Sequence, residues 1–163
     1  MADMLSQWSD FNVAMAGASA ALAGLVIVAA SVNIDKIVKA GTLTARLAAA
    51  IATLVLALVV SAACLVPGIN LLSYGLVVLA ATAGAGWFQV HATWAIMRDP
   101  SPAQQSRILK SILGLLPIAI YLAAGTMMVG DQPGGLLLAA AGCLLALVSA
   151  ILVSWIVLVE VLR

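Results

Sequence analysis

Two polar side chains stand in the stretch WFQVHATW, residues 87–94, inside a segment that is otherwise apolar. His91 is the only histidine of the chain, and Gln89 precedes it by two residues. An imidazole can bind a metal ion or titrate near neutral pH, and an amide can line a hydrated path. Residues two apart on a helix lie on different sides of it, so we expect separate surroundings for the two side chains.

Gln89 belongs to a stripe of small and polar residues along one side of the predicted helix, at about 100° per residue. The stripe consists of Gly75, Thr82, Gly86, Gln89 and Thr93. Two interpretations are open: the stripe lines a hydrated path, or it packs against and hydrogen-bonds to a neighbouring helix.

His91 lies between Trp87 and Trp94 and about two helical turns before Arg98, where a membrane-spanning helix meets the water interface. We interpret it as a neutral side chain satisfied by a carbonyl group or by headgroup water. The alternative is a pH-sensing or gating histidine. A metal site is disfavoured because no second His, Asp or Glu stands at ligand spacing.

The predicted spans lack the residues that catalysis or coupled transport needs. None has an Asp, Glu, Lys or Arg at its middle, where coupled transporters keep an ionisable group. The HExxH zinc motif, phosphate-binding glycine loops and CxxC pairs are missing as well. Cys64 and Cys143 are expected to be buried free thiols, with a disulfide as the alternative. These observations predict a protein that is not an enzyme and has no cofactor.

Composition predicts a membrane protein. The chain of 163 residues is 65% hydrophobic and 8% charged, against about 25% charged residues in an ordinary soluble domain. Its apolar runs are continuous and do not alternate, which favours helices over the strands of a membrane barrel. A net charge of +1 argues against a nucleic-acid partner.

The pattern predicts an all-α fold, a single-domain polytopic membrane helix bundle with five transmembrane helices. The predicted spans are residues 10–32, 44–66, 71–97, 110–129 and 135–159. Turns rich in proline and glycine separate them, and a capping box that begins at Ser101 precedes the fourth span. Pro117 lies within the fourth span, where it should kink the helix and free the carbonyl group of Leu113.

Basic residues fall on one side of this topology. Six of the seven, Arg46 among them, lie in the first and third connections and the seventh is Arg163, while the other connections have only Asp131. The positive-inside rule then puts the N-terminus outside and the C-terminus in the cytoplasm. No basic stretch precedes the first span, so we expect it to be retained rather than cleaved as a signal peptide.

The first span is rich in small residues at helical spacing, and Gly17, Ala21 and Gly24 are its candidate helix-packing positions. These residues pack either inside the protomer or between subunits. Residues 34–38 have an apolar and a charged side. This pattern predicts an amphipathic extension at the membrane interface, or a docking site for a partner.

The opening stretch WSDFNVAMAGASAALAGLVIVAASVNIDKIV, residues 8–38, resembles the start of a family of small multi-pass membrane proteins from actinobacteria. The resemblance implies a bacterial cytoplasmic (plasma, or inner) membrane. It implies no activity and assigns no role to any residue.

Two functional hypotheses follow from these patterns. The first is a non-enzymatic, homo-oligomeric membrane protein that scaffolds or modulates an assembly with another membrane protein. The alternative is a homo-oligomeric passive channel for ions or small solutes, lined by the stripe that contains Gln89, with His91 or Pro117 affecting gating. In both hypotheses the expected partners are the lipid bilayer and further copies of the chain.

Overall fold

The computed structural model describes residues 5–39, 41–98 and 104–162, and within these ranges it has six helices and no strand. The helices are α1 (Ser9–Val32), α2 (Ile34–Lys39), α3 (Gly41–Cys64), α4 (Leu71–Arg98), α5 (Gln104–Val129) and α6 (Gly134–Leu162). Five of them, all except α2, are long and apolar enough to cross a membrane. The all-α fold and its five long apolar helices are therefore confirmed.

Four of the long helices form a closed ring, and the fifth packs on its outside. Around the ring, α3 contacts α4, α4 contacts α5, α5 contacts α6, and α6 returns to α3. Consecutive helices run in opposite directions, as in an up-and-down bundle. Helix α1 lies against α3 and, less extensively, against α6. In α3, 56% of the helix's apolar stretch is buried, whereas in α1 only 17% is buried.

Side chains from all four ring helices fill the space along the ring axis. The largest fully buried ones include Val60 of α3, Tyr74 and Val78 of α4, Tyr121 and Met128 of α5, and Cys143 of α6. In a bilayer, whose lipid tails are as apolar as these side chains, such helices are held together by close packing and hydrogen bonds rather than by the hydrophobic effect.

The turns at one end of the ring follow from their residue types. Gly68, between α3 and α4, has a φ of 77°, a left-handed conformation that glycine adopts without strain. Asn70 Oδ1 accepts a 2.7 Å hydrogen bond from the backbone N–H of Ser73 and so caps α4. After α5, Asp131 has a φ of 57°, and the N–H of Gln132 donates to the Met127 carbonyl group at 2.9 Å.

The first connection differs from the prediction. Helix α3 begins at Gly41 and no helix breaker follows, so Arg46 lies within α3. Its side chain is only 6% exposed. The expectation that Arg46 lies in a connection was therefore wrong. The amphipathic segment is a separate helix, α2, of which Ile37 is buried while Ile34 and Val38 are exposed. The predicted capping box at Ser101 lies outside the described residues.

Candidate functional site

The stripe along α4 faces α5, and glycines on both helices allow a close approach. A Cβ atom placed on Gly75 would lie 2.9 Å from the Cβ of Met128. A Cβ placed on Gly125 of α5 would lie 2.8 Å from the side chain of Leu79. Each glycine thus makes room for a larger side chain of the other helix, and the backbones pack closely.

Gln89 enters the bundle where α5 has a glycine. A Cβ on Gly114 would lie 2.6 Å from the Cδ and 3.0 Å from the Oε1 of Gln89, so only glycine leaves room for the amide. Gln89 is 6% exposed. Its side chain makes no hydrogen bond to any other residue in the ranges that the structure describes.

Pro117 interrupts the hydrogen bonds of α5 beside this point. Proline has no N–H, so the carbonyl group of Leu113, four residues earlier, lacks its usual helical donor. The hydroxyl group of Ser149 on α6 donates a 2.7 Å hydrogen bond to that carbonyl. The carbonyl that the sequence leads us to expect as freed therefore has a partner on the next helix.

A small polar cavity of about 20 Å³ lies inside the ring next to these groups. Its polar side chains come from three ring helices, Arg46 and Thr53 of α3, Gln89 of α4 and Ser149 of α6, and Gly114 of α5 also lines it. Thr53 and Ser149 are 2% and 4% exposed. The Thr53 hydroxyl donates to the carbonyl group of Ala49 at 2.8 Å. The ring interior thus has one level at which polar groups converge.

The other members of the stripe also pack within the protomer. The hydroxyl groups of Thr82 and Thr93 donate to carbonyl groups of their own helix, at 2.6 Å and 2.9 Å. A Cβ on Gly86 would be in ordinary contact with Ile118 of α5, at 3.6 Å. Since α5 covers this side of α4, the stripe cannot line a pore between copies in this arrangement.

His91 lies on the outward side of α4. Its neighbours Trp87 and Trp94 are 76% and 50% exposed. The ring centroids of His91 and Trp94 are 6.3 Å apart, and the guanidinium carbon of Arg98 lies 3.5 Å from the Trp94 centroid, at cation–π distance. Such a group of aromatic and basic side chains is typical of the membrane–water interface. His91 therefore does not contribute to the polar cavity.

The candidate packing residues of α1 also face outward. Gly17, Ala21 and Gly24 are exposed, on the side of α1 opposite the buried Ser19 and Ala23. A Cβ on Gly17 or Gly24 would meet no atom within 4 Å. Within the described ranges, nothing packs against the Cβ positions of Gly17 and Gly24.

The two cysteines lie together at the other end of the ring. Cys64 and Cys143 are free and buried, and both line a cavity of about 10 Å³. The Cys143 sulfur is 3.7 Å from the Ser61 hydroxyl oxygen. Among the described residues, no group of three or more His, Cys, Asp or Glu side chains could hold a metal ion.

An open apolar groove of about 730 Å³ runs along the outside of the ring between α3 and α4. Small residues such as Ala48, Ala52, Ala81 and Gly84 line it, with Phe88 near one end. All of its lining side chains are apolar. This chemistry matches the hydrocarbon core of a bilayer.

Sequence reasoning missed most of the polar cavity. It singled out Gln89 and Pro117, but not Thr53, Gly114 or Ser149. One signal was present: a carbonyl group freed by proline in a membrane helix needs a donor from a neighbouring helix. The second signal was Gly114, a glycine near the start of the predicted fourth span, the span that packs on Gln89. Neither signal says which neighbouring helix provides the donor.

Comparisons with known proteins give no relative from which a role could be transferred. No protein-family model, no curated protein and no solved structure matches the chain. The resemblance of residues 8–38 to actinobacterial membrane proteins stays a prediction. The interpretation of the chain therefore depends on its geometry.

Proposed function

We propose that the chain is a non-enzymatic membrane protein that associates with further copies of itself and scaffolds or modulates a membrane assembly. The outward face of α1, with Gly17, Ala21 and Gly24, is the observation that carries this proposal. Helices in a bilayer associate through close backbone packing, which small residues permit. Gly17 and Gly24 have open space around them in the protomer, so the face is free to receive another helix.

The spacing of this face suits a second α1 helix. Gly17, Ala21 and Gly24 are followed on the same exposed side by Val28 and Ser31, so the intervals alternate between four and three residues. Such spacing is typical of left-handed helix pairs that cross at about 20°. Helix α1 lies outside the ring, so two copies can meet without changing the ring interior.

The distribution of charge supports a bacterial plasma membrane orientation with the N-terminus outside. Lys36, Lys39 and Arg98 lie at one end of the antiparallel bundle, with Arg46 in the adjoining part of α3. Asp131 lies in the turn at the opposite end. Basic residues are enriched on the cytoplasmic side of membrane proteins, so the Lys36 end is the cytoplasmic end of this proposal.

The test is a matched pair of substitutions, Ala21→Leu and Ala123→Leu. Both alanines are exposed on long apolar helices, and the change in volume is the same. Energy transfer between labelled copies is measured in liposomes at increasing lipid dilution. We expect Ala21→Leu to lower the associated fraction severalfold and Ala123→Leu to match the wild type. Equal association of all three proteins would exclude the α1 interface, and a monomeric wild type would exclude self-association.

The alternative of a homo-oligomeric passive channel has less support, because α5 covers its candidate lining. Ion flux from liposomes that contain the purified protein, at acidic and at neutral pH, distinguishes the two functions. Flux above that of empty liposomes, abolished by Gln89→Leu, would favour the channel. Lack of flux at both pH values agrees with the scaffold.

A further inference from the structure

A buried amide without a protein partner adjoins a space large enough for one water molecule. Gln89 is 6% exposed, and it lines the cavity of about 20 Å³ inside the ring. About 10–15 Å³ is enough to hold a water molecule. In the described ranges no other residue hydrogen-bonds to the Gln89 side chain. A buried amide that lacks hydrogen bonds is unfavourable, so a partner that fits the cavity is required.

The cavity is too deep for bulk water to supply that partner. The membrane-crossing part of α3 begins at Thr42. At about 1.5 Å per residue, Thr53 lies about 16 Å further along the helix, near the middle of a hydrocarbon core about 30 Å thick. The partner must therefore be a molecule bound inside the ring.

The hydrogen-bonding capacity of Gln89, Thr53 and Ser149 matches one water molecule. The hydroxyl protons of Thr53 and Ser149 are already donated, to the carbonyl groups of Ala49 and Leu113. Each hydroxyl oxygen therefore faces the cavity only as an acceptor, whereas the Gln89 Nε2 is a donor. A water molecule that accepts from Gln89 and donates to both hydroxyls makes three hydrogen bonds, about the usual number for a buried water.

We propose that this cavity binds one ordered water molecule, held by Gln89, Thr53 and Ser149. The water ties α4 to α3 and α6 at the level where Pro117 deprives α5 of a backbone hydrogen bond. The water thus connects polar side chains of three ring helices through hydrogen bonds inside the ring. The proposal is independent of self-association and of conduction, because all three residues belong to one protomer.

The test is solid-state NMR of the full chain in bilayers of deuterated lipid, with ¹⁵N-labelled glutamine and asparagine. Magnetisation transfer from water to the side-chain amides is measured, and the Gln89 signal is assigned by its loss in Gln89→Met. The matched control is the same amide in Thr53→Val, which keeps the shape of the side chain and removes one acceptor of the water. We expect transfer to Gln89 to be several times faster in the wild type than in Thr53→Val.

Equal transfer to Gln89 in the wild type and in Thr53→Val would overturn the proposal. Since Arg46 lines the same cavity, a small anion is the competing occupant. A Gln89 amide shift that follows chloride concentration would identify that anion and also overturn the proposal. Should Gln89→Met not fold, the Gln89 signal is assigned in the wild type from labelled phenylalanine and glutamine, because Phe88–Gln89 is the only Phe–Gln pair in the sequence.

Discussion

Replacing Ser149 with alanine should destabilise the helix bundle, because it leaves the carbonyl group of Leu113 without a donor. Pro117 has no N–H to offer this carbonyl, and the Ser149 hydroxyl takes that place at 2.7 Å. Ser149 is 4% exposed, so bulk solvent does not reach the carbonyl group to replace the lost hydrogen bond. The substitution removes one oxygen atom and leaves no large void.

The expected decrease in the free energy of unfolding follows from the surroundings of the Leu113 carbonyl group. Hydrogen bonds between membrane helices average about 0.6 kcal/mol, with a maximum of about 1.7 kcal/mol. A buried acceptor left without a partner costs about 1–3 kcal/mol. The Leu113 carbonyl loses the donor that replaces the missing N–H of Pro117, so we expect the free energy of unfolding to fall by about 1–2 kcal/mol. The assay is reversible unfolding in mixed detergent micelles, followed by circular dichroism.

Two variants control this experiment. Ser154→Ala removes a hydroxyl from the same helix that is also buried, at 6% exposed, but has no hydrogen-bond partner in the part of the chain that the structure describes. It should leave stability unchanged or raise it. Pro117→Ala restores the helical N–H, so Ser149→Ala should cost less than about 0.5 kcal/mol in that background. Equal costs for the two serines, or an undiminished cost beside Pro117→Ala, would refute the reasoning.

Three further predictions use the same preparations. Gly114→Ala should lower the free energy of unfolding by about 1 kcal/mol, because the flexible Gln89 amide must move away from the new Cβ, whereas Gly84→Ala, whose Cβ meets no described atom within 4 Å, should leave it unchanged or raise it; similar costs for both would contradict this packing. Tyr121→Phe removes a buried hydroxyl that lies beside the Cys143 thiol, a weak hydrogen-bond partner, so it should lower the free energy of unfolding by less than about 1 kcal/mol, and a larger loss would show a stronger partner. Both cysteines should resist maleimide in the folded protein and react after unfolding without a reductant, because they are free and buried; fewer than two reactive thiols would indicate a disulfide.

The five long helices could be predicted from the sequence because each is a local property of the chain. A continuous apolar run specifies a helix in lipid, and glycine and proline specify where it ends, as at Gly68 and Pro133. The periodicity of α4 likewise distinguishes the side with Gln89 from the side with His91, since both follow from helix geometry.

The neighbour that covers each side could not be predicted, because that depends on the order of helices around the ring. Hydropathy does not encode this order, so the stripe of Gln89 was compatible with a pore as well as with packing against α5. The partner of the Leu113 carbonyl, Ser149, lies 36 residues further along the chain. Arg46 was missed for a different reason: a charged residue near a helix end is expected at the surface, yet its long aliphatic stem allows it to extend along the bundle interior.

The small residues of α4 pack within the protomer, whereas those of α1 are proposed to pack between copies. One experiment that measures both association and stability of two variants tests this difference. On α4 and α5, each glycine faces a larger side chain of the same protomer, as Gly114 faces Gln89 and Gly125 faces Leu79. On α1, no side chain meets Gly17 or Gly24. A second α1 presents the same small residues at the same spacing, so a two-fold axis satisfies both copies at once.

Ala21→Leu should therefore change the oligomeric state without changing the unfolding free energy of the ring. Gly114→Ala should do the reverse, because its effect arises inside one protomer. Both variants are compared by energy transfer in liposomes and by unfolding in micelles. A ring destabilised by Ala21→Leu would show that the outward face of α1 packs within the protomer. Dissociation by Gly114→Ala would show that association depends on the ring interior, and the separation of the two surfaces would then be wrong.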